Sequence, residues 1–333
     1  MTTGSVSAVA VAFLVAVAVI PLMVRAAIGR NLLDVPNARS SHEVPTPRLG
    51  GIAVIAGVWA TTPFTSGEIY VLLPATLAGF VGALDDLIDL RVWVKAAGQA
   101  TSALVLLLLL PPPILSDAGF LWPAALLFSV FWIVSVVNAY NFMDGIDGMV
   151  GGTAILNALF LGALLNASTN VGVGLPALAA AVAGFMVWNI SPARIFLGDS
   201  GSYFVGFFLG AVALYAAPVG GSSYLGFVVV AAVFTPFLFD TGYTLARRVW
   251  AGKEVFTAHR EHFYQRIALD PTKHRQVSII YYTLAVLSGL ATLFASGGTD
   301  MEPVRLLGGG ALVVGCCLAM TLLPHVMRER GYI

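Results

Sequence analysis

Apolar stretches of roughly 20 residues, repeated from one end of the chain to the other, constrain this sequence more than any other feature. That is the length of helix that crosses the ~30 Å hydrocarbon core of a bilayer. Of the 333 residues, 58% are hydrophobic and only 10% charged. A water-soluble domain carries about 25% charge. The chain therefore reads as an all-α, polytopic integral membrane protein with about 11 transmembrane helices, at 5–24, 50–64, 69–84, 95–113, 120–138, 149–166, 171–190, 203–217, 223–246, 277–296 and 303–324.

Net charge is zero, so placement and not total charge is informative. Cytoplasmic loops retain Lys and Arg. With the N-terminus outside, 16 of the 17 Lys and Arg residues fall on the cytoplasmic side and only Arg305 outside. This predicts an odd number of spans and a cytoplasmic C-terminus. No cation precedes the first span and Arg25 follows it, the pattern of a retained helix and not of a cleaved leader. Cys316 and Cys317 are adjacent inside the last span and read as small packing residues.

The outer loops are short, and the polar residues gather in the inner segments 25–50, 85–95, 139–148, 191–202 and 247–276. These segments are expected to form the active site of a single transmembrane domain, 1–333. In the first of them, Pro36, Pro45 and Pro47 block helix and favour extended backbone. Four acidic features punctuate the chain. They are Asp85-Asp86 with Asp89, the run Asn138–Gly148, the string Gly198-Asp199-Ser200-Gly201-Ser202, and Asp240. A carboxylate at a helix centre costs roughly 2.5–3.5 kcal/mol on insertion scales, so such residues are rarely idle.

Asp85 and Asp89 share a face if the helix continues through them. Crowded carboxylates resist ionising unless a cation sits nearby; the bland alternative is an acid-capped helix end. Asn138, Asn141, Asp144 and Asp147 recur every third residue, and their hard oxygens suit Mg²⁺ or hydrogen bonds to a base or sugar. Gly145 and Gly148 let the backbone turn and approach a ligand. Asp199 opens a helix whose N–H groups can receive phosphate while its carboxylate holds a metal. His259, Arg260 and His262 read as a positive clamp for phosphate, with Arg39, His42 and Arg48 as weaker companions. Ordinary cytoplasmic retention of cations accounts for Arg247, Arg248 and Lys253.

Together these strings resemble the polyprenyl-phosphate N-acetylhexosamine-1-phosphate transferases. The match runs from Asp34-x-Pro36 through Pro47-Arg48-x-Gly50-Gly51, Asp85-Asp86, Asn138-x-x-Asn141-x-x-Asp144-Gly-Ile-Asp147-Gly and Gly198-Asp199-x-Gly201-Ser202 to His259-Arg260-x-His262. Asn-Phe-Met-Asp-Gly-Ile-Asp-Gly and Ala-His-Arg-x-His look most like the branch that initiates O-antigen and related surface polysaccharides. The peptidoglycan branch carries a run of histidines where Phe263 and Tyr264 stand here.

The resemblance implies transfer of a sugar-1-phosphate from a UDP-N-acetylated sugar to undecaprenyl phosphate, releasing UMP, at the cytoplasmic face of the bacterial inner membrane. It implies Mg²⁺, with Mn²⁺ as a substitute, held by Asp199 and Asn141. By motif position Phe196 would stack on uracil, Asp147 would bond its edge, and His259, Arg260 and His262 would neutralise the diphosphate. Asp85 or Asp86 would deprotonate or orient the lipid phosphate. Asp144 joins them as a catalytic candidate, and Asn138 and Arg48 as substrate-binding ones. Partners are the two substrates and the bilayer, with no nucleic acid; a homodimer is compatible. Direct attack by the lipid phosphate is favoured over an aspartyl adduct, because a phosphate monoester is already a competent nucleophile. The main alternative of another class is a cation-coupled transporter, which would spread its acids through the membrane depth.

Overall fold

The computed structural model describes residues 3–36, 44–62, 67–165, 172, 174–216, 218–219, 222–254, 259–268, 271–297 and 302–329. Arg39 and His42 lie outside them. The chain is helical almost throughout: α1 (Thr3–Gly29), α2 (Gly50–Trp59), α3 (Ile69–Ile88), α4 (Val92–Leu109), α5 (Pro113–Ser116), α6 (Trp122–Met143), α7 (Met149–Leu164), α8 (Leu175–Asn189), α9 (Gly198–Ala213), α10 (Ser223–Ala231), α11 (Thr235–Trp250), α12 (Phe263–Ile267), α13 (His274–Ser296) and α14 (Glu302–Glu329). One two-residue antiparallel pair, β1 (Leu33–Asp34) with β2 (Thr46–Pro47), closes the proline-rich segment after α1. The extended backbone expected there is thus partly a strand.

Helix occupies each of the eleven apolar segments. Among the described residues, seven helices are long and apolar enough to cross a membrane: α1, α3, α4, α6 with its leading turn, α10–α11 taken together, α13 and α14. The others are shorter; α2, α7 and α8 are apolar, and α9 opens with Asp199. Between α10 and α11 a 3₁₀ turn, Ala232–Phe234, precedes Pro236. Proline has no N–H to give the preceding turn, so the helix is tightened there without ending.

α9 forms the axis of the bundle. It packs against α2, α3, α6 and α7, and every residue from Ser200 to Ala213 is buried. α1 and α8 cover one flank, and α13 with α14 closes another. Small residues permit this density. At Gly51 an added Cβ would lie 2.1 Å from Gly201 N, and at Gly82 it would lie 2.2 Å from Asp199 O. α2 and α3 therefore touch the first turn of α9 backbone to backbone.

The helices run further into the polar clusters than the loop boundaries expected from sequence. Asp85 and Asp86 belong to α3, Asn138 and Asn141 to α6, and Asp199 to the first turn of α9. Near a bilayer a backbone that pairs with itself is cheaper than an open loop, so helix continues until a residue forces it to stop. For α3 that residue is Asp89, in the left-handed conformation at φ +50°. Asp89 is exposed and does not share a helix face with Asp85. For α6 the stop comes at Met143, so Asn138 and Asn141 share the helix whereas Asp144 and Asp147 sit on the following turn, which Gly148 closes at φ +77°.

Candidate active site

Four chain segments converge where α3 and α6 end and α2 and α9 begin. Gly50 N–H donates to Phe196 O at 3.0 Å, Gly51 N–H to Leu197 O at 2.7 Å, and Phe196 N–H to Pro47 O at 2.8 Å. The Pro47–Gly51 motif is thereby laced onto the strand leading into α9. Gly198 then takes φ +74°, where a Cβ would meet Arg48 O at 2.1 Å. Arg48 itself pairs with Asp34 at 2.5 Å, which holds its guanidinium over this junction.

The neighbouring carboxylates of α3 divide their work. Asp86 accepts from Asp199 N–H and from Ser200 N–H, each at 3.0 Å, one on each oxygen. It caps α9 from another helix and meets the positive end of that dipole. Asp85 is buried, pairs with Lys95 at 2.5 Å, and accepts from Leu90 N–H at 2.8 Å and Tyr203 Oη at 3.5 Å. Its side chain is also in hydrogen-bonding contact with that of Asp199.

Asp199 receives Asn141 Nδ2 at 2.7 Å, and the same amide reaches Ser202 Oγ at 3.2 Å. Asn141 thus orients Asp199 through its nitrogen, and ligation of a cation would use its oxygen. Asn138, one turn earlier, donates to Gln99 Oε1 at 2.7 Å and Val134 O at 2.8 Å. Among the described residues no group of three His, Cys, Asp or Glu side chains forms a closed metal cage. The donor set nonetheless suits Mg²⁺, which takes one or two carboxylates and completes its shell from substrate and water. Two carboxylates in contact, as Asp85 and Asp199 are, need a proton or a cation between or beside them.

Burial, then the negative charges of Asp86 and Asp147, pushes the Asp144 carboxyl up to about 7. The Asp147 carboxylate lies below its ordinary range despite the cost of burial, because His274, Ala193 N–H and Ser191 hold its charged form. Ala193 N–H donates to it at 3.1 Å, and His274 Nδ1 stands 3.6 Å from its other oxygen. Asn189 fastens the same turn by accepting from Gly148 N–H at 3.0 Å while donating to Ile195 O at 2.9 Å.

The basic segment comes in beside the α6–α7 turn. Tyr264 Oη donates to Phe142 O at 3.0 Å, and a Cβ on Gly145 would fall 2.1 Å from that hydroxyl. His262 is buried, with its ring 6.1 Å from Phe142 and 5.0 Å from His259. Burial and then the neighbouring His262 push His259 down to about 4, so it offers a hydrogen bond and not a charge. Arg260 is exposed beside it. Glu261 gathers Arg248 at 2.6 Å, Lys253 at 2.9 Å and Arg247 at 3.0 Å. Those three cations are thus gathered on one loop carboxylate.

All the acidic and amide candidates thus come to one end of the bundle, with Arg48, Phe196 and the histidine segment around them. Lys95, His274, Asn189 and Glu261 were not singled out. Each acquires its partner only when separate segments of the chain meet.

Residues 68–217 match the family model described as glycosyl transferase family 4. A decaprenyl-phosphate N-acetylglucosaminephosphotransferase of Mycobacterium tuberculosis is 31% identical, over 89% of this chain and 83% of the relative. A probable undecaprenyl-phosphate N-acetylglucosaminyl 1-phosphate transferase of Bacillus subtilis is 26% identical over 87% and 84%. The undecaprenyl-phosphate alpha-N-acetylglucosaminyl 1-phosphate transferase of Escherichia coli is 27% identical over 90% and 84%. An identity of 31% over most of both chains shows the family: the chain belongs to glycosyl transferase family 4, with the polyprenyl-phosphate N-acetylhexosamine-1-phosphate transferases.

Proposed function

We propose that this protein transfers an N-acetylhexosamine-1-phosphate from a UDP-sugar to undecaprenyl phosphate, or a polyprenyl phosphate of similar length, releasing UMP. The observation that carries the reading is the convergence of Asp85, Asp199, Asn141 and Lys95 where four helix ends meet. The names of the relatives point to N-acetylglucosamine as the first sugar to try. The product would initiate O-antigen or another cell-surface polysaccharide. Phe263 and Tyr264, standing where the peptidoglycan branch carries histidines, favour this over a peptidoglycan precursor.

Phosphoryl transfer asks a protein for positioning and charge neutralisation more than for covalent help. Asp199 and Asn141, with Asp85 adjoining, would hold Mg²⁺ or Mn²⁺. When bound, the ion would supply positive charge to the diphosphate and the departing UMP. Lys95 offsets the charge of Asp85 and faces the same junction. Asp85 and Asp144 are the candidates to take the proton of the lipid phosphate, Asp144 because its carboxyl titrates close to the working pH. Asp86 is committed through both oxygens to α9, which favours direct attack by the lipid phosphate over an Asp86 adduct. Arg260 contributes charge and His259 a neutral donor to the diphosphate. Phe196 and Asp147 would meet the nucleobase, Asp147 with its carboxylate oriented by Ala193 N–H and His274.

A transporter would distribute acids through the bundle. Asp240 is the one buried acid of the four features that lies away from the junction. Incubating the purified protein with Mg²⁺, undecaprenyl phosphate and a panel of UDP-sugars, scored by UMP release, tests the proposal. UMP release with UDP-N-acetylglucosamine is expected, and none with any UDP-sugar would overturn it.

A further inference from the structure

Asp240, on α11, is fully buried and saturated with donors from three elements. Phe263 N–H reaches Oδ1 at 2.9 Å, with His262 Nδ1 at 3.1 Å and Thr244 Oγ1 at 3.3 Å. Oδ2 accepts from Tyr264 N–H at 3.3 Å and from the Tyr281 hydroxyl of α13. A buried carboxylate is tolerable only when its lone pairs are met in this way. Tyr281 alone would suffice to join α11 to α13, and Thr244 lies on α11 itself. The three donors contributed by consecutive residues His262, Phe263 and Tyr264 do something more: they fix one short segment in position and rotation.

Two consequences follow from the geometry. With Nδ1 turned to a carboxylate and the side chain also accepting from Gln265 N–H at the start of α12, the His262 ring is held in one orientation. Tyr264, anchored by its N–H, sends its hydroxyl to Phe142 O against Gly145. The carboxylate thereby sets the gap between the histidine segment and the turn that carries Asp144 and Asp147. We propose that Asp240 is a positioning residue for the transferase reaction, acting through His262 and Tyr264 without touching substrate. This rests on the reading that the histidine segment faces the sugar donor's diphosphate.

The test uses the full-length protein in detergent with Mg²⁺, undecaprenyl phosphate and UDP-N-acetylglucosamine. Asp240→Asn keeps the volume but replaces one acceptor by a donor. It should lower kcat by about 10- to 100-fold, the usual weight of a residue that orients another, with KM for the UDP-sugar changed only a few-fold. Asp240→Glu should recover part of the rate. In a His262→Gln background, Asp240→Asn should cost little more. Folded Asp240→Asn at the wild-type kcat would overturn the inference, and so would losses that simply multiply with those of His262→Gln. Should Asp240→Asn not fold, Tyr281→Phe removes a single donor. A kcat loss of a few-fold that vanishes in the His262→Gln background supports the inference, and a wild-type kcat overturns it. Wild-type protein that releases no UMP sinks the functional reading and this inference with it. Active wild type with an equally active Asp240→Asn sinks the inference alone.

Discussion

Asp86→Asn separates a helix cap from a catalytic base. In the structure each Asp86 oxygen takes one N–H of the first turn of α9, both at 3.0 Å. Asparagine retains one oxygen and sets an NH₂ against the other N–H. Losing a hydrogen bond to a charged group costs about 1.5–3 kcal/mol. Losing the negative charge from a helix N-terminus costs about 0.3–1 kcal/mol more. The sum, about 2–4 kcal/mol, is a large share of the 5–15 kcal/mol by which folded proteins typically exceed their unfolded states. Thermal unfolding in detergent should therefore fall by several degrees. Turnover should fall with it, because the loosened turn carries Asp199, and the loss should be alike across neutral and alkaline pH. A base behaves otherwise. Its removal leaves stability intact, and the rate deficit shrinks as pH rises past the second phosphate pKa of about 6, where the nucleophile is already dianionic. Unchanged unfolding with an alkali-rescued rate would refute the cap.

Asp199→Asn should abolish detectable UMP release at any practical Mg²⁺ concentration while the protein remains monodisperse on size exclusion; near-wild-type turnover would remove Asp199 from the metal site. For Asp144, pushed up to about 7, the ionised form that can accept a proton is lost as pH falls. The rate should drop below neutrality, and Asp144→Asn should be slow with that acidic limb gone from its pH profile. Gly51→Ala, whose Cβ would lie 2.1 Å from Gly201 N, should cost about 3 kcal/mol or more and show as poor recovery of folded protein. Reporter fusions should place the 111–119 segment outside and 247–276 inside; finding the latter outside would overturn the orientation read from the cations.

What could be read from the sequence was whatever repeats or clusters locally. Apolar length located the long helices but not α12, which lies in a segment read as loop, and the Asn138–Gly148 and Gly198–Ser202 strings marked the junction. Helix ends were harder to locate, since Asp85, Asn141 and Asp199 look like loop residues until the bilayer's demand for self-paired backbone is weighed. Asp85 and Asp86 are chemically identical neighbours, and only the approach of α9 distinguishes a cap from a paired acid. Lys95, His274 and Asn189 carry no local signal at all, because each is defined by a partner that the fold brings to it. Asp240 stood out by its cost, but its purpose lay in a segment more than twenty residues on, at His262.

The inner helices are short. α2 has 10 residues, α8 has 15, and α7 and α9 have 16 each. At 1.5 Å per residue they rise only ~15–24 Å, against ~40 Å for α1 and α14, with 27 and 28 residues. A hydrocarbon core of ~30 Å is therefore exceeded by α1 and α14 and undershot by α9 at the axis. The N-terminus of α9, with its carboxylates, would then lie recessed between longer helices at a depth fixed by the bundle, so a thicker bilayer would carry a prenyl phosphate's head group further from it. Catalytic rate should then follow acyl-chain length in reconstituted vesicles, with the thickness of the bilayer serving as an adjustable part of the enzyme.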